Sequence, residues 1–237
     1  MSIYKKNLEL LTKNNVYSKE MEHDACGVGL IASTEGKKSR EVVEYGIEAL
    51  KAVWHRGAVD ADGKTGDGAG IHLEIPKDFF VEKIEVTGHT HDGSDICVGM
   101  IFLPRNDYSS QESCKTIVES ELTKNDFSIY GWRQVPVNPK VLGEKAFQTM
   151  PEIIQVLFKS NDKNLLDKEL ERKIYETRKK IENKAFNLSL NNFYICSISS
   201  KSIIYKGMFL AEAISDFFLD LKAVSYTHLT LPTKDGV

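Results

Sequence analysis

The chain has 237 residues, enough for one large domain or two small ones. Its 41% hydrophobic and 27% charged content is that of an ordinary water-soluble globular chain. A net charge of −3 gives no bulk electrostatic case for nucleic acid or an anionic membrane, and no apolar run approaches the roughly 20 residues of a membrane span.

Residues 1–25 are polar, with one apolar cluster at Leu8, Leu10 and Leu11, and read as a leader segment. It lacks the apolar centre of a secretory signal. Glu9, Glu20, Glu22 and Asp24 make it too acidic for an organellar transit peptide. The expected location is therefore cytoplasmic, with a plastid the alternative for a eukaryotic source, although no clear transit peptide is present. Four cysteines, at 26, 97, 114 and 196, form no CxxC pair, which fits buried thiols in a reducing compartment.

From Cys26, "CGVGLIAS" reads as a short buried strand, apolar and flanked by glycine. Ser39 suits a helix cap, and Val42, Val43, Ile47, Leu50, Val53 and Trp54 recur at helical spacing. The loop "HRGAVDADGKTGDGAGI" follows, then the strands "GIHLEI" and "DICVGMIFLP", separated by the polar tip "TGHTHDGSD". Residues 109–124 read as a helix, "FSIYGWRQVPVNP" as an extended segment and "MPEIIQVLF" as a strand. A long helix over "LLDKELERKIYETRKKIENKAF" has an apolar face of Leu166, Leu170, Ile174 and Ile181. "FYICSISSKSIIYKGMF" gives two strands joined near Ser200, and "LAEAISDFFLDLK" a last helical run. This mixed order, without a regular βαβ repeat, predicts an α+β fold. Trp54 and Trp132 are expected as core anchors.

Two stretches carry chemistry. Cys26 as a lone residue reads first as a buried strand cysteine. As a nucleophile it needs a base, and neither His23 nor His55 stands at a diagnostic spacing. A cut between Ala25 and Cys26 would supply one, because a free α-amine with a pKa of about 7.7–8.0 can take the thiol proton near neutrality. Gly27 and Gly29 would let a substrate approach the backbone. In the second stretch, Arg56 beside Gly57 suits a carboxylate or an oxyanion. The "GDGAG" run permits tight turns with outward N–H groups, yet by itself it is equally an ordinary glycine-rich turn. It is neither a phosphate-binding lysine loop nor a calcium loop. His89 and His91 form an H-x-H in a polar tip, with no further ligand to complete a metal site.

Taken together, "HDACGVGLIA", "WHRGAVDADGKTGDGAGI", "YGWRQVPVN" and "FYICSISSKSIIYKGM" resemble the N-terminal glutaminase domain of glutamate synthase large chains, a class II glutamine amidotransferase domain. The likeness covers roughly residues 19–222. It implies an N-terminal-nucleophile hydrolase fold, a four-layer α/β/β/α sandwich, incomplete in this chain. It implies a propeptide at 1–25, a partial amidotransferase domain at 26–222, and Cys26 as the catalytic nucleophile that hydrolyses L-glutamine through a thioester. Arg56 and Gly27 are then expected to bind substrate or order the site, and Asp67 and Gly68 to shape the loop. The family's later substrate-carboxylate arginine, oxyanion-hole Asn-Gly and amine-binding Asp are not found here. In their place stands "AVSYTHLTLPTKDGV", so 223–237 is expected to be a non-native tail and the stretch by itself inactive. No cofactor or metal is expected within this stretch. FMN and an iron–sulfur cluster are expected in the longer parent, together with a small subunit or electron donor. The competing readings are another class II glutamine amidotransferase and a non-catalytic binding domain in which Cys26 is never unmasked.

Overall fold

The computed structural model describes residues 3–14, 27–36, 39–54 and 57–223. Near the start, Ile3–Lys13 forms a helix (α1) that leaves Ile3, Leu10 and Leu11 exposed. Ser39 caps the next helix, Arg40–Ala52 (α2), accepting from the Glu41 N–H at 3.2 Å. Capping satisfies a backbone donor that the helix start otherwise leaves unpaired. Val42, Val43 and Ile47 are buried as the spacing predicts.

The main sheet has four antiparallel strands in the order β3-β4-β2-β5: Phe127–Gln134 (β3), Glu152–Ser160 (β4), Cys97–Leu103 (β2) and Tyr194–Ser199 (β5). On β4, Ile154, Val156 and Phe158 pack outward against two helices, Tyr108–Lys124 (α4) and Asp167–Asn187 (α6). Ile153 and Leu157 on its other face join a central core. A strand covered on both faces needs a continuous apolar run, which is how "EIIQVLF" reads. Leu170, Ile174 and Ile181 of α6 are buried, but Leu166 is 70% exposed. It precedes the helix, where the chain is still extended, so it leaves the apolar face.

The second sheet has two strands, Ala69–Glu74 (β1) and Ser202–Gly207 (β6), paired with Ile71 opposite Tyr205 and Leu73 opposite Ile203. These four side chains enter the central core with Lys77–Val86 (α3), a helix the sequence reading passed over. The two strands around Ser200 do not form a hairpin ladder: β5 belongs to the four-stranded sheet and β6 to the other. The predicted last helix is broken into single turns, with Ile214–Phe217 (α7) between 3₁₀ turns at Ala211–Ala213 and Leu219–Lys222.

A buried polar network ties the two sheets together. Arg133 of β3 donates through both terminal nitrogens to Asp220 at 2.7 and 2.6 Å, and to Gln155 of β4 at 2.8 Å. Tyr205 of β6 donates to Asp220 at 3.2 Å, and Gln155 donates to the Tyr205 hydroxyl at 3.3 Å. Every partner in such a low-dielectric site must be satisfied, and here each one is.

Three expectations are corrected. Residues 27–33 form no strand. Trp54 is 62% exposed beyond the end of α2 and anchors no core. Trp132 lies at the margin of the outer core, where its Nε1–H reaches Glu119 at 2.6 Å.

Candidate active site

Cys26 and Arg56 lie outside the described residues; their neighbours Gly27 and Gly57 lie within them. Gly27 to Ile31 form one wall of a cavity of about 1130 Å³. Ala49, Leu50 and Val53 of α2 and the length of β1 form further walls. The apolar part of this lining comes from helical and strand periodicities that the sequence displays. The polar part comes from residues distant in sequence. Lys77 pairs with Asp95 at 2.9 Å, and Lys201 with Asp167 at 2.6 Å. The hydrogen bond from Lys201 holds the Asp167 carboxyl below its usual range. Glu171 accepts from Ser199 Oγ at 3.0 Å, and from the Ser200 N–H and Oγ at 2.7 Å each. Two of these acids are held in ion pairs and Glu171 is held by three serine donors, so together they shape the polar wall. The sequence reading missed this group, and only the serine-rich "SISSKS" turn hinted at it.

The glycine-rich loop folds back on itself. Val59 bridges Gly66, the Asp60 N–H donates to the Thr65 carbonyl at 2.9 Å, and the Asp67 N–H donates to the Ala58 carbonyl at 3.2 Å. Asp62 is its internal clasp, accepting from the Thr65 hydroxyl at 2.6 Å and from the Thr65 and Lys64 N–H groups at 2.7 and 2.9 Å. Those donors hold its carboxyl well below the usual range. Lys145, on the short helix Glu144–Gln148 (α5), reaches Asp60 at 2.6 Å and docks the loop. Gly68 has φ +132°, a conformation that favours glycine. Gly57 lies against Asp67, with a Cβ there 3.2 Å from the carboxylate.

Asp67 and Gly68 line a second, smaller cavity of about 620 Å³, together with Phe102 and Met208. Gly70, Ile71 and His72 line both cavities. The described residues therefore place Gly27 on one cavity, Asp67 and Gly68 on the other, and β1 along both.

Of the four cysteines, Cys97, Cys114 and Cys196 are buried and unpaired. Burial pushes the Cys114 and Cys196 thiols up to about 11 each and raises Cys97 further. A thiol held protonated is a poor nucleophile near neutrality. His89 and His91 sit in the polar tip; His91 Nε2 lies 2.8 Å from the Ser94 carbonyl and His89 Nδ1 lies 3.2 Å from the Thr87 hydroxyl. Among the described residues no group of three or more His, Cys, Asp or Glu is arranged to hold a metal ion. Among them, too, no helix is long and apolar enough to cross a membrane.

The sandwich of antiparallel sheets and helices, with a cavity opening beside the residue that follows Cys26, is the arrangement of an amidotransferase of the N-terminal-nucleophile class. Residues 26–231 match the class-II glutamine amidotransferases, and the chain belongs to that family. The match begins at Cys26 and runs on into the tail. The chain is 53% identical over 218 residues to the glutamate synthase [NADPH] large chain of Azospirillum brasilense, covering 92% of this chain and 14% of that one. It is 38% identical to ferredoxin-dependent glutamate synthase 2 of Synechocystis over 87% of this chain, and 41% identical to the chloroplastic/mitochondrial ferredoxin-dependent glutamate synthase 1 of Arabidopsis thaliana over 86%. Each of those two alignments spans 13% of the relative's length.

Proposed function

We propose that this chain is the glutaminase portion of a glutamate synthase, with Cys26 as its nucleophile. The observation that carries the reading is the family match that starts at Cys26. The raised thiol pKa values of the other three cysteines support it, because they leave Cys26 as the thiol suited to attack.

Cleavage of the Ala25–Cys26 bond exposes the cysteine amine. That amine takes the Sγ proton, directly or through one water, and the thiolate attacks the side-chain amide carbon of L-glutamine. The tetrahedral intermediate collapses to a thioester as the protonated amine returns its proton to departing ammonia. Water, deprotonated by the same amine, then attacks the thioester, releasing glutamate and restoring the thiol. Arg56 orders the site next to the nucleophile. Asp67 and Gly68 set the shape of the loop through its tight backbone.

In the longer protein the ammonia would aminate 2-oxoglutarate, and the FMN and iron–sulfur cluster of that protein would supply the reducing electrons. The described residues do not fit an iron–sulfur cluster: their three cysteines are separately buried and no ligand cluster exists among them. A small subunit or electron donor would deliver those electrons to the longer protein.

Glutamine-dependent ammonia release by the full-length protein tests the reading. The Cys26→Ser variant is expected to fall to background while keeping its far-ultraviolet spectrum. Intact mass is expected to show a mature chain starting at Cys26, labelled once by a glutamine-analogue diazoketone. Undiminished turnover in the variant would mean another nucleophile. An uncut, folded chain that ignores the analogue would favour a binding domain.

A further inference from the structure

The glycine-rich loop consists of two short arms, residues 58–60 and 65–67, joined by a turn in which Gly63 has φ +70°. Two paired arms are marginal by themselves, so contacts outside the loop set how it stands on the protein. One of these lies on the second arm, where a Cβ on Gly66 would fall 2.7 Å from the Phe209 carbonyl oxygen. The others lie at α5. Lys145 reaches Asp60, and Gly143 packs directly against Thr65 and Asp62.

Thr65 is the joint between the loop and α5. It is 4% exposed, and its hydroxyl has one proton and two lone pairs. The proton goes to Asp62 at 2.6 Å, and a lone pair accepts from the Ala146 N–H at 3.5 Å. Ala146 is the third residue of α5, a position where a helix leaves the N–H without an internal partner. The residue just before a helix usually supplies the acceptor. Here that residue is Gly143, which has no side chain to offer, and Thr65 supplies it from 81 residues away. A side chain on Gly143 would occupy the space that Thr65 and Asp62 fill. The glycine and the distant cap belong together: the start of α5 is shaped to receive the loop.

We propose that Thr65 is a positioning residue for the glutaminase reaction: by tying the loop to α5 it fixes the loop's base, where Gly57, Asp67 and Gly68 stand. That base is a close fit. The Asp67 N–H donates to the Ala58 carbonyl, and Gly57 lies against the Asp67 carboxylate. Gly57 is bonded to Arg56, the residue assigned to ordering the site, and Asp67 and Gly68 line the smaller cavity. Lys145 acts on the same joint from outside, through its pair with Asp60 at 2.6 Å. Thr65 acts through these residues and not on substrate. Orientation is what it controls, and a displacement of about 1 Å can cost roughly a hundredfold in rate. The proposal rests on the glutaminase reading.

Steady-state glutaminase kinetics of the full-length protein test it. Thr65→Val, which keeps the shape and loses the hydroxyl, is expected to lower kcat at least about tenfold while KM changes less than about twofold. Thr65→Ser, which keeps the donor and the acceptor, should stay within about threefold of the unaltered protein. Lys145→Met alters a side chain that is 67% exposed, so it folds whatever becomes of Thr65→Val. Its kcat should fall about twofold to fivefold, and Lys145→Arg should restore it. An equal fall in Thr65→Val and Thr65→Ser would overturn the proposal, because packing rather than the hydroxyl would then matter. So would an unchanged kcat in both Thr65→Val and Lys145→Met. A loss carried wholly by KM would overturn it too, since the loop would then be only a wall of the pocket. Turnover of the unaltered protein reports on the glutaminase reading and the ratios among variants report on this one, so the two failures are distinguishable.

Discussion

The four-stranded sheet and the β1–β6 side are built to different standards. In the first, strands are covered on both faces, α4 and α6 close one side, and its cysteines are inert buried thiols. In the second, two strands carry a large cavity, the exposed side chains of Val28 and Leu30, and a loop held by its own hydrogen bonds. Among the described residues assigned to the site, Gly27, Asp67 and Gly68 fall on the second side. A well-packed half supplies rigidity, and the loosely packed half keeps room for a substrate and for movement.

The seam between the two is the Arg133–Asp220 network, and breaking it should have the largest effect. Asp220 is 3% exposed and accepts from Arg133 and Tyr205. Asp220→Ala leaves the guanidinium buried without its carboxylate, a change that typically costs about 3–5 kcal/mol. Denaturant midpoints are the measurement, followed by Trp132 fluorescence for β3 and by hydrogen exchange for β1–β6. Both probes should shift together if the seam makes one cooperative unit. A shift confined to the β1–β6 side would mean that the four-stranded half stands alone. Arg133→Met with Asp220→Leu should recover part of the loss, because removing both charges avoids the unpaired one.

The same contrast decides what could be read from the sequence. The buried strands and helices of the packed half follow from periodicity: "EIIQVLF", "CVGMIFL" and the Leu170–Ile174–Ile181 face sit where their patterns place them. The patterns failed where context overrides them. "GVGLIA" has the composition of a strand, but a strand also needs an edge to pair with, and residues 27–33 take none. Trp54 follows the helical spacing of α2 past the point where the helix stops. "LAEAISDFFLDLK" is helical by composition, but Phe217, Phe218 and Leu221 all enter the core, and single turns place them there. At the site, the roles of Cys26 and Arg56 came from a resemblance rather than from spacing. The paired charges of the cavity wall join residues from 77 to 201 and carry no local signal.

An intermediate effect is expected on the loop, which tests whether its clasp is a fixed part of the site. Gly143 abuts the clasp so closely that an added Cβ would overlap the Thr65 hydroxyl and the Asp62 carboxylate. Gly143→Ala should cost about 1–3 kcal/mol, the usual range for overpacking. It should also speed amide exchange at Thr65 while leaving β4 amides protected. Equal loss of protection in β4 would mean that the loop is welded to the packed half and that the two regions are not distinct.

The smallest effect is a pH dependence lodged in the packed half alone. Glu121 of α4 is buried and pairs with Lys184 of α6. The hydrogen bond from Lys184 pulls its carboxyl below the usual 4.5, outweighing the opposing effect of burial; the charges of Lys184, Lys124 and Lys180 act in the same direction. A carboxylate with a lowered folded pKa stabilises the fold above its unfolded value, and that contribution is lost as pH falls through the folded value. Glu121→Gln should therefore be less stable than the unaltered chain at pH 7, with the difference shrinking as pH is lowered below about 4.5. Thermal midpoints at pH 7, 5, 4 and 3 measure it. Asp62 and Asp92 also have lowered values, but both sit in exposed hydrogen-bonded turns that remain in the variant, so their losses cancel in the comparison. A difference that stays constant down to pH 3 would show that Glu121 acts by packing rather than by charge. The α4–α6 contact would then hold the packed half together through its apolar faces alone.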